Sequence, residues 1–393
     1  MKEEVLVGNI LFIDYAMLGF SRYADRLAKE LKSRGVNGKL LWMYMEKNKS
    51  AAPEGTAFDG IYSARSFKYD PARIISELEP SAIVVFAHRF FDYMFTVEAH
   101  KHGIPVFNFQ HGIYMDSTVI SSLSKGTAGQ LLKKKKDQLL LYSRCTYHLN
   151  NRKITKTLST FMELRKHDLY KVMNGRFGNT CNADVSFIYG EYWKEFYSRH
   201  YLETATDFKV IGYPELEGEL KDTSDCFNND LPVACYLAQT SVEDGIIDES
   251  FLQDFFSVLE SRLGNINLIL KLHPRSDIKL YKKLLDKTGS VKLWDSPEFP
   301  KCDLYIGHES TVVARALDIT NKTMVYRLSE DRKSPFEQYT KYVCTNRDSF
   351  AEQLNSMLSD NEGMGVSSDF SSYVYKNPNG ALKDTARIIA ETL

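Results

Sequence analysis

This chain of 393 residues contains neither a G-x-G-x-x-G fingerprint nor a phosphate-binding P-loop. The loop Asp14 to Phe20, where such a motif would follow the first strand pattern, holds a single glycine, Gly19. A dinucleotide-dependent oxidoreductase and an NTPase are therefore disfavoured. No D-x-D pair stands at a convincing strand end, which argues against a metal-dependent transferase, so neither a metal nor a cofactor is expected. The six cysteines, Cys145, Cys181, Cys226, Cys235, Cys302 and Cys344, include no C-x-x-C pair and have no histidine at ligand spacing. They read as free thiols of a reducing compartment, not as a zinc site. No apolar run approaches the roughly 20 residues that cross a bilayer. The short run Val5 to Ile13 lacks the long apolar region and small-residue cleavage site of a signal peptide. The expected location is the cytoplasm, at most peripherally on the inner face of a membrane. A net charge of -1 gives no global reason to expect nucleic acid, and no solenoid or propeller repeat is present.

With 43% hydrophobic and 26% charged residues, the chain can fill two cores of ordinary size. Its first part alternates strand and helix patterns. Strands are expected at Val5 to Asp14, Gly38 to Tyr44, Ser81 to Phe86 and Pro105 to Phe109, with helices at Gly19 to Arg34, Pro71 to Leu78 and Thr96 to His102. The pattern resumes at Ala183 to Tyr189 and ends in Phe208 to Pro214. A polar, acidic stretch, Glu215 to Asp230, suits a linker. A second series begins at Pro232, with strands at Val233 to Ala238, Ile266 to Leu272, Val291 to Trp294, Leu304 to Ile306 and Thr323 to Arg327. Helices are expected at Glu249 to Arg262, Asp277 to Asp286, Thr311 to Asp318, Asp348 to Leu358 and Gly380 to Leu393. Strands separated by helices imply right-handed crossovers and parallel sheets. The expectation is an α/β protein of GT-B architecture: a Rossmann-like acceptor domain over 1–220, a Rossmann-like nucleotide-donor domain over 231–375, and a final helix, 376–393, returning to the first domain.

Residues 117–176 interrupt that alternation as a long basic helical insertion. Between Lys125 and Arg176 thirteen Lys or Arg stand against three acids, an excess of ten positive charges. Lys133, Lys134, Lys135 and Lys136, flanked by leucines, are the best candidate contact to an anionic membrane or an anionic glycan. A solvated insertion is the competing reading.

The chemistry concentrates where apolar strands end. Leu268 to Leu272 runs into His273-Pro274-Arg275, and Leu304 to Ile306 runs into Gly307-His308-Glu309-Ser310-Thr311. In open parallel sheets ligands bind outside the carboxyl ends of strands, and a helix beginning there offers N–H groups to phosphate. Pro274 presets the turn, His273 can donate to a phosphate or leaving-group oxygen, and Arg275 adds a planar fork. Lys271 points to the opposite face by the period of two. Ser310 and Thr311 occupy an N-cap position, while His308 and Glu309 could touch a ribose or base. Glu243-Asp244-Gly245 follows the strand Val233 to Ala238 and could supply a general base, its pKa raised by burial or a like-charged neighbour. Gln110-His111-Gly112 ends a strand of the first domain, which makes His111 a rival base.

In their order, these motifs resemble the bacterial GT-B sialyltransferases and polysialyltransferases, which share an acidic D/E-D/E-G motif, an HP motif and a downstream Ser/Thr motif. The resemblance implies Asp244 as base and His273 as the group at the CMP phosphate. It further implies a CMP-linked sugar donor, a glycan or lipid-linked acceptor, and a capsule or lipopolysaccharide product. Strand-Gln-His-Gly and Ile211-Gly212-Tyr213-Pro214 are also similar to the CDP-glycerol glycerophosphotransferases, which would give the base to His111, although the W-H-G-T-P pattern of that group is missing. Both resemblances imply attack by an acceptor hydroxyl on a nucleotide-linked donor. A nucleotide-sugar epimerase and a non-catalytic GT-B relative are the competing classes. The oligomeric state is left open.

Overall fold

The computed structural model describes residues 8–15, 23–45, 54–113, 141–287, 289–328, 333–360 and 369–393. Lys133, Lys134, Lys135 and Lys136 lie outside these residues. The chain divides into two compact units, one formed by Met1–His111, Ala128–Pro214 and Ser372–Leu393, the other by Gly112–Thr127 and Glu215–Ser371.

The first unit is built on a seven-stranded sheet ordered β3-β2-β1-β4-β5-β6-β7. Its strands are β1 Asn9–Asp14, β2 Leu40–Tyr44, β3 Gly60–Ser63, β4 Pro80–Val85, β5 Val106–Phe109, β6 Val185–Ile188 and β7 Asp207–Val210. Every pairing is parallel. Ile10 to Ile13, Leu40 to Met43 and Ala82 to Val85 are nearly solvent-free, as parallel strands covered on both faces must be. The helices used below are α1 Ala24–Ser33, α2 Pro71–Leu78, α3 Phe90–Lys101, α4 Ile154–Leu164, α5 Leu169–Phe177 and α6 Tyr192–His200. Helix α3 begins six residues before the expected Thr96. Its residues Phe90 to Ala99 are all buried, so no amphipathic period announces its first turns.

The second unit has a six-stranded sheet ordered β11-β10-β9-β13-β14-β15, and a separate pair, β8 with β12. The strands are β8 Leu220–Asp222, β9 Val233–Leu237, β10 Asn267–Lys271, β11 Val291–Leu293, β12 Phe299–Lys301, β13 Leu304–Gly307, β14 Thr323–Tyr326 and β15 Val343–Cys344. All pairings are again parallel. Its long helices are α7 Glu249–Glu260, α8 Val312–Ile319 and α9 Arg347–Ser359.

Two sequence expectations change here. Glu215 to Asp230 is folded structure of the second unit rather than a linker, because β8 pairs with β12 and the buried Arg315 of α8 donates to the carbonyls of Glu215, Gly218 and Glu219. The helix expected over Asp277 to Asp286 is a short 3-10 turn, Ile278–Tyr281, running into Lys282–Leu285. The last helix, α10 Ala381–Thr392, packs on α1 in the first unit.

Candidate functional site

In the second unit, β9 sits between β10 and β13. The chain leaves β9 toward β10 on one side and later resumes at β13 on the other. That reversal is the topological switch point at which ligands of open parallel sheets bind. Three loops leave this edge in sequence order: Ala238 to Asp248 after β9, Leu272 to Asp277 after β10, and His308 to Thr311 after β13. The acidic, His-Pro-Arg and Ser-Thr segments thus follow neighbouring strands.

The first two loops are tied together. Arg275 Nη1 donates to Asp244 Oδ1 at 3.1 Å and Nη2 to Oδ2 at 3.0 Å. Nη2 also reaches Thr240 Oγ1 at 3.0 Å, and Thr240 in turn donates to Asp244 Oδ2 at 2.6 Å. Glu243 Oε1 accepts the backbone N–H of Asp277 at 2.8 Å, so the adjacent carboxylate anchors the loop. Gly245 closes the turn at φ +68°, a left-handed conformation suited to glycine.

This pairing corrects the expected basicity of Asp244. Hydrogen bonding to Arg275 outweighs the upward push of burial, and with help from Thr240 holds the Asp244 carboxyl below its ordinary value. The same bond raises the Arg275 guanidinium. In this state Asp244 is a stabilised carboxylate, and the Arg275 fork faces a carboxylate instead of a phosphate.

His273 is exposed beside Pro274. Its Nδ1 accepts the Arg275 backbone N–H at 3.1 Å, which in the neutral ring places the proton on Nε2. Lys271 is partly buried with its ammonium 5.8 Å from the Phe299 ring centroid, a ring that also carries Arg315 at 5.1 Å. Burial lowers the Lys271 pKa.

At the third loop, Gly307 is required sterically: a Cβ there would lie 2.6 Å from Val313 Cγ2. The helix start is more self-satisfied than expected. Thr311 holds the N-cap position with helical angles and no side-chain cap bond. Ser310 Oγ accepts the Val312 N–H at 3.4 Å, and the N–H groups of Val313 and Ala314 go to the carbonyls of Ser310 and Thr311. Phosphate recognition here would fall on the partly exposed Ser310 and Thr311 more than on orphan amides. Glu309 is also partly exposed.

His308 is a correction. It is buried, its Nε2 lies 2.9 Å from the Tyr236 hydroxyl and its Nδ1 2.8 Å from the Tyr326 carbonyl oxygen. Burial pushes its pKa down to about 4, so it is a neutral core histidine with both nitrogens engaged, not a ribose contact. The period of two already points this way, since Leu304, Ile306 and His308 share one face of the extended chain and the first two belong to the core.

The first unit has its own switch point, between β1 and β4. Asp14, at the end of β1, accepts a hydrogen bond from Arg89. Arg89 also donates through Nε and its backbone N–H to Asp92 Oδ2 at 2.9 and 2.8 Å. Burial opposes the charge of Arg89, but the two carboxylates outweigh it and raise its pKa. Sequence inspection missed this residue; its position just after β4 was the available signal. Beside it His88 Nε2 lies 2.5 Å from Glu203 Oε1, and its ring stacks on Tyr201 at 4.0 Å. His111 is exposed two residues beyond β5, while its neighbour Gln110 is buried, accepting the Tyr189 N–H at 2.9 Å.

Among the described residues no group of three or more His, Cys, Asp or Glu is placed to hold a metal ion, and no helix is long and apolar enough to cross a membrane.

No family model and no curated sequence matches this chain. Solved structures do. A glycotransferase of kitacinnamycin is similar at a TM-score of 0.57 and 14% identity, over 98% of this chain and 99% of that one. A UDP-N-acetylglucosamine 2-epimerase is similar at 0.52 and 12%, over 99% and 96%. MurG of Acinetobacter baumannii is similar at 0.51 and 11%, over 98% and 99%. At such identities the likeness establishes the fold: two Rossmann-like parallel-sheet units of GT-B type.

Proposed function

We propose that this protein is a nucleotide-sugar glycosyltransferase whose second unit holds a CMP-linked acidic sugar, sialic acid or a relative, and whose first unit holds the accepting hydroxyl of a bacterial surface glycan. The observation that carries this reading is the grouping of Asp244, Arg275, His273 and Ser310 on the loops that leave three neighbouring strands at a switch point. The order of the acidic, HP and Ser/Thr motifs favours CMP. The UDP in the name of the epimerase neighbour makes a UDP-sugar the principal competitor.

In this reading a donor phosphate competes with Asp244 for the Arg275 fork, since guanidinium pairs with phosphate as readily as with carboxylate. His273 Nε2–H and the Ser310 and Thr311 hydroxyls complete the phosphate contacts. Asp244, relieved of Arg275, regains basicity and takes the acceptor proton as the acceptor oxygen bonds to the anomeric carbon. The bond from that carbon to the CMP phosphate oxygen breaks, CMP departs with the electron pair, and the configuration inverts. Charge on the leaving phosphate is met by Arg275 and His273, so we propose no metal in the step.

A second reading has support in the Asp244–Arg275 pair itself. If Arg275 stays on Asp244, the base is His111 and the reaction is of the CDP-glycerol phosphotransferase kind. Incubating the purified protein with CMP-, CDP-, UDP- and GDP-linked donors and following acceptor-free hydrolysis decides among these. Release of CMP from a CMP-sugar alone supports the first reading, release from CDP-glycerol supports the second, and turnover confined to UDP-sugars rejects both.

A further inference from the structure

Helix α4 is inverted relative to an ordinary surface helix. Its hydroxyl residues Thr157 and Thr160 are buried, their Oγ1 atoms bonded to the carbonyls of Lys153 and Lys156, with Asn150 Nδ2 also donating to Thr160 at 3.0 Å. Three of its five large apolar residues point outward: Ile154, Leu158 and Met162 are 65%, 58% and 63% exposed, while Phe161 and Leu164 are half-buried and Leu164 packs on the core. Spaced by four, the exposed three form one stripe along the helix. Arg165 falls on the same stripe one turn further on, with Lys166 beside it; Lys156 lies away from the stripe, one turn before the buried Thr160.

The surrounding charge is mostly positive. Over the described residues 141–177, eight Lys or Arg stand against two acids, Glu163 and Asp168. Glu163 pairs with Arg176 and Asp168 with Lys171. No ion pair among the described residues engages Lys153, Lys156, Arg165 or Lys166. Exposed apolar side chains at helical spacing amid unneutralised cations suit an anionic bilayer, where the stripe enters the acyl boundary and the cations meet headgroups. A protein partner fits less well. One convex stripe of three side chains falls far short of the 20 to 30 residues a side that a stable interface takes.

We propose that the outward face of α4 is the surface by which this protein docks on an anionic membrane, with Ile154, Leu158 and Met162 inserting. The inference is independent of which donor is used, and of Lys133 to Lys136.

Cosedimentation of the full chain with phosphatidylcholine vesicles, with and without phosphatidylglycerol, tests it. Binding is expected to need phosphatidylglycerol. Ile154→Ser/Leu158→Ser/Met162→Ser is expected to weaken it by about a hundredfold, the effect of removing three half-buried aliphatic side chains. Arg165→Gln/Lys166→Gln is expected to weaken it about fivefold per charge at low salt and little at high salt. Circular dichroism and melting should match the parent in both variants. As a second probe, Leu158→Trp should shift its emission to the blue on adding anionic vesicles. The proposal is overturned if the serine variant binds like the parent or if the tryptophan stays in water. It is equally overturned if the parent ignores vesicles, whether it is then a monomer or a dimer that the serine variant separates.

Discussion

Arg275 holds Asp244 through both carboxylate oxygens, across 31 positions of sequence, with Thr240 bonded to both partners. A carboxylate so paired has its proton affinity suppressed, and whatever draws Arg275 away restores it. Because the pair is largely exposed, its worth to folding is at most about 1 kcal/mol. The Asp244 pKa is depressed in the folded state, so this small contribution is present above the ordinary carboxylate range and lost as pH falls through the folded value. Asp244→Asn should therefore barely change the melting temperature while depressing turnover by about 10²–10⁴-fold, the usual range for a general base. Donor binding should survive. An active Asp244→Asn beside an inactive His111→Ala would transfer the base to His111.

His273→Ala should cost about 10²–10³ in turnover by removing one preorganised donor to the leaving phosphate. The ring is exposed, and its Nδ1 accepts the N–H of Arg275 two residues on, so the fold should be little affected. Near-parental kinetics in a folded His273→Ala protein would remove this residue from the reaction.

His308 predicts the opposite division. Its folded pKa lies near 4 and its unfolded one near the ordinary 6.5. Between these values the unfolded chain is protonated and the folded chain is not, so stability is full above about pH 6.5 and falls as the pH drops toward 4. The total loss is on the order of 3 kcal/mol. His308→Gln cannot titrate and should flatten that part of the acid unfolding curve, at a neutral-pH cost of about 1–3 kcal/mol from disturbed bonds to Tyr236 and Tyr326. Donor KM should not move; a large rise in KM with unchanged acid unfolding would return His308 to the binding site.

Turnover should persist in EDTA. Arg275, the Nε2–H of His273 and the hydroxyls of Ser310 and Thr311 supply positive charge and donors to a leaving phosphate without a divalent ion. Complete loss of activity in EDTA, restored by magnesium or manganese, would mean that these groups do not suffice.

The parts of the fold that could be read in advance are those where sequence and environment agree locally. Leu268 to Leu270 and Leu304 to Ile306 are continuous apolar runs because helices cover both faces of a parallel sheet. The motifs at their ends were legible because strand ends are where the backbone turns outward. Pairings between loops were not. Nothing around Asp244 names Arg275 as its partner, and nothing around Arg89 shows that it bridges Asp14 and Asp92. Helix α3 starts earlier than its pattern suggests because a helix buried on all sides has no polar face to mark its period. Glu215 to Asp230 reads as a linker because its fixing contacts come from Arg315, 100 positions on from Glu215, and from β12, whose Phe299 is 79 positions on from its partner Leu220.

The return of the chain to the first unit rests on Gly212. Its φ is +85°, and a Cβ there would lie 2.7 Å from the Tyr375 carbonyl oxygen and 2.9 Å from Asn377 Cβ. That closeness comes from a backbone zipper: Tyr213 N–H donates to the Tyr375 oxygen at 2.8 Å, Tyr375 N–H to the Tyr189 oxygen at 2.8 Å, and Asn377 Nδ2 to the Ile211 oxygen at 2.8 Å. Gly212→Ala must bear both the left-handed strain of an L-residue, about 1 kcal/mol, and displacement of a docked backbone, about 1–3 kcal/mol more. Gly103→Ala is the matched control, since Gly103 has φ +67° but open space within 4 Å of the added methyl. Urea unfolding of the two variants should place Gly212→Ala clearly below Gly103→Ala in the transition of the first unit, with hydrogen exchange at Tyr213 and Tyr375 accelerated only in the former. Equal losses in the two variants would mean that the C-terminal segment is not held against Ile211 to Tyr213 in solution.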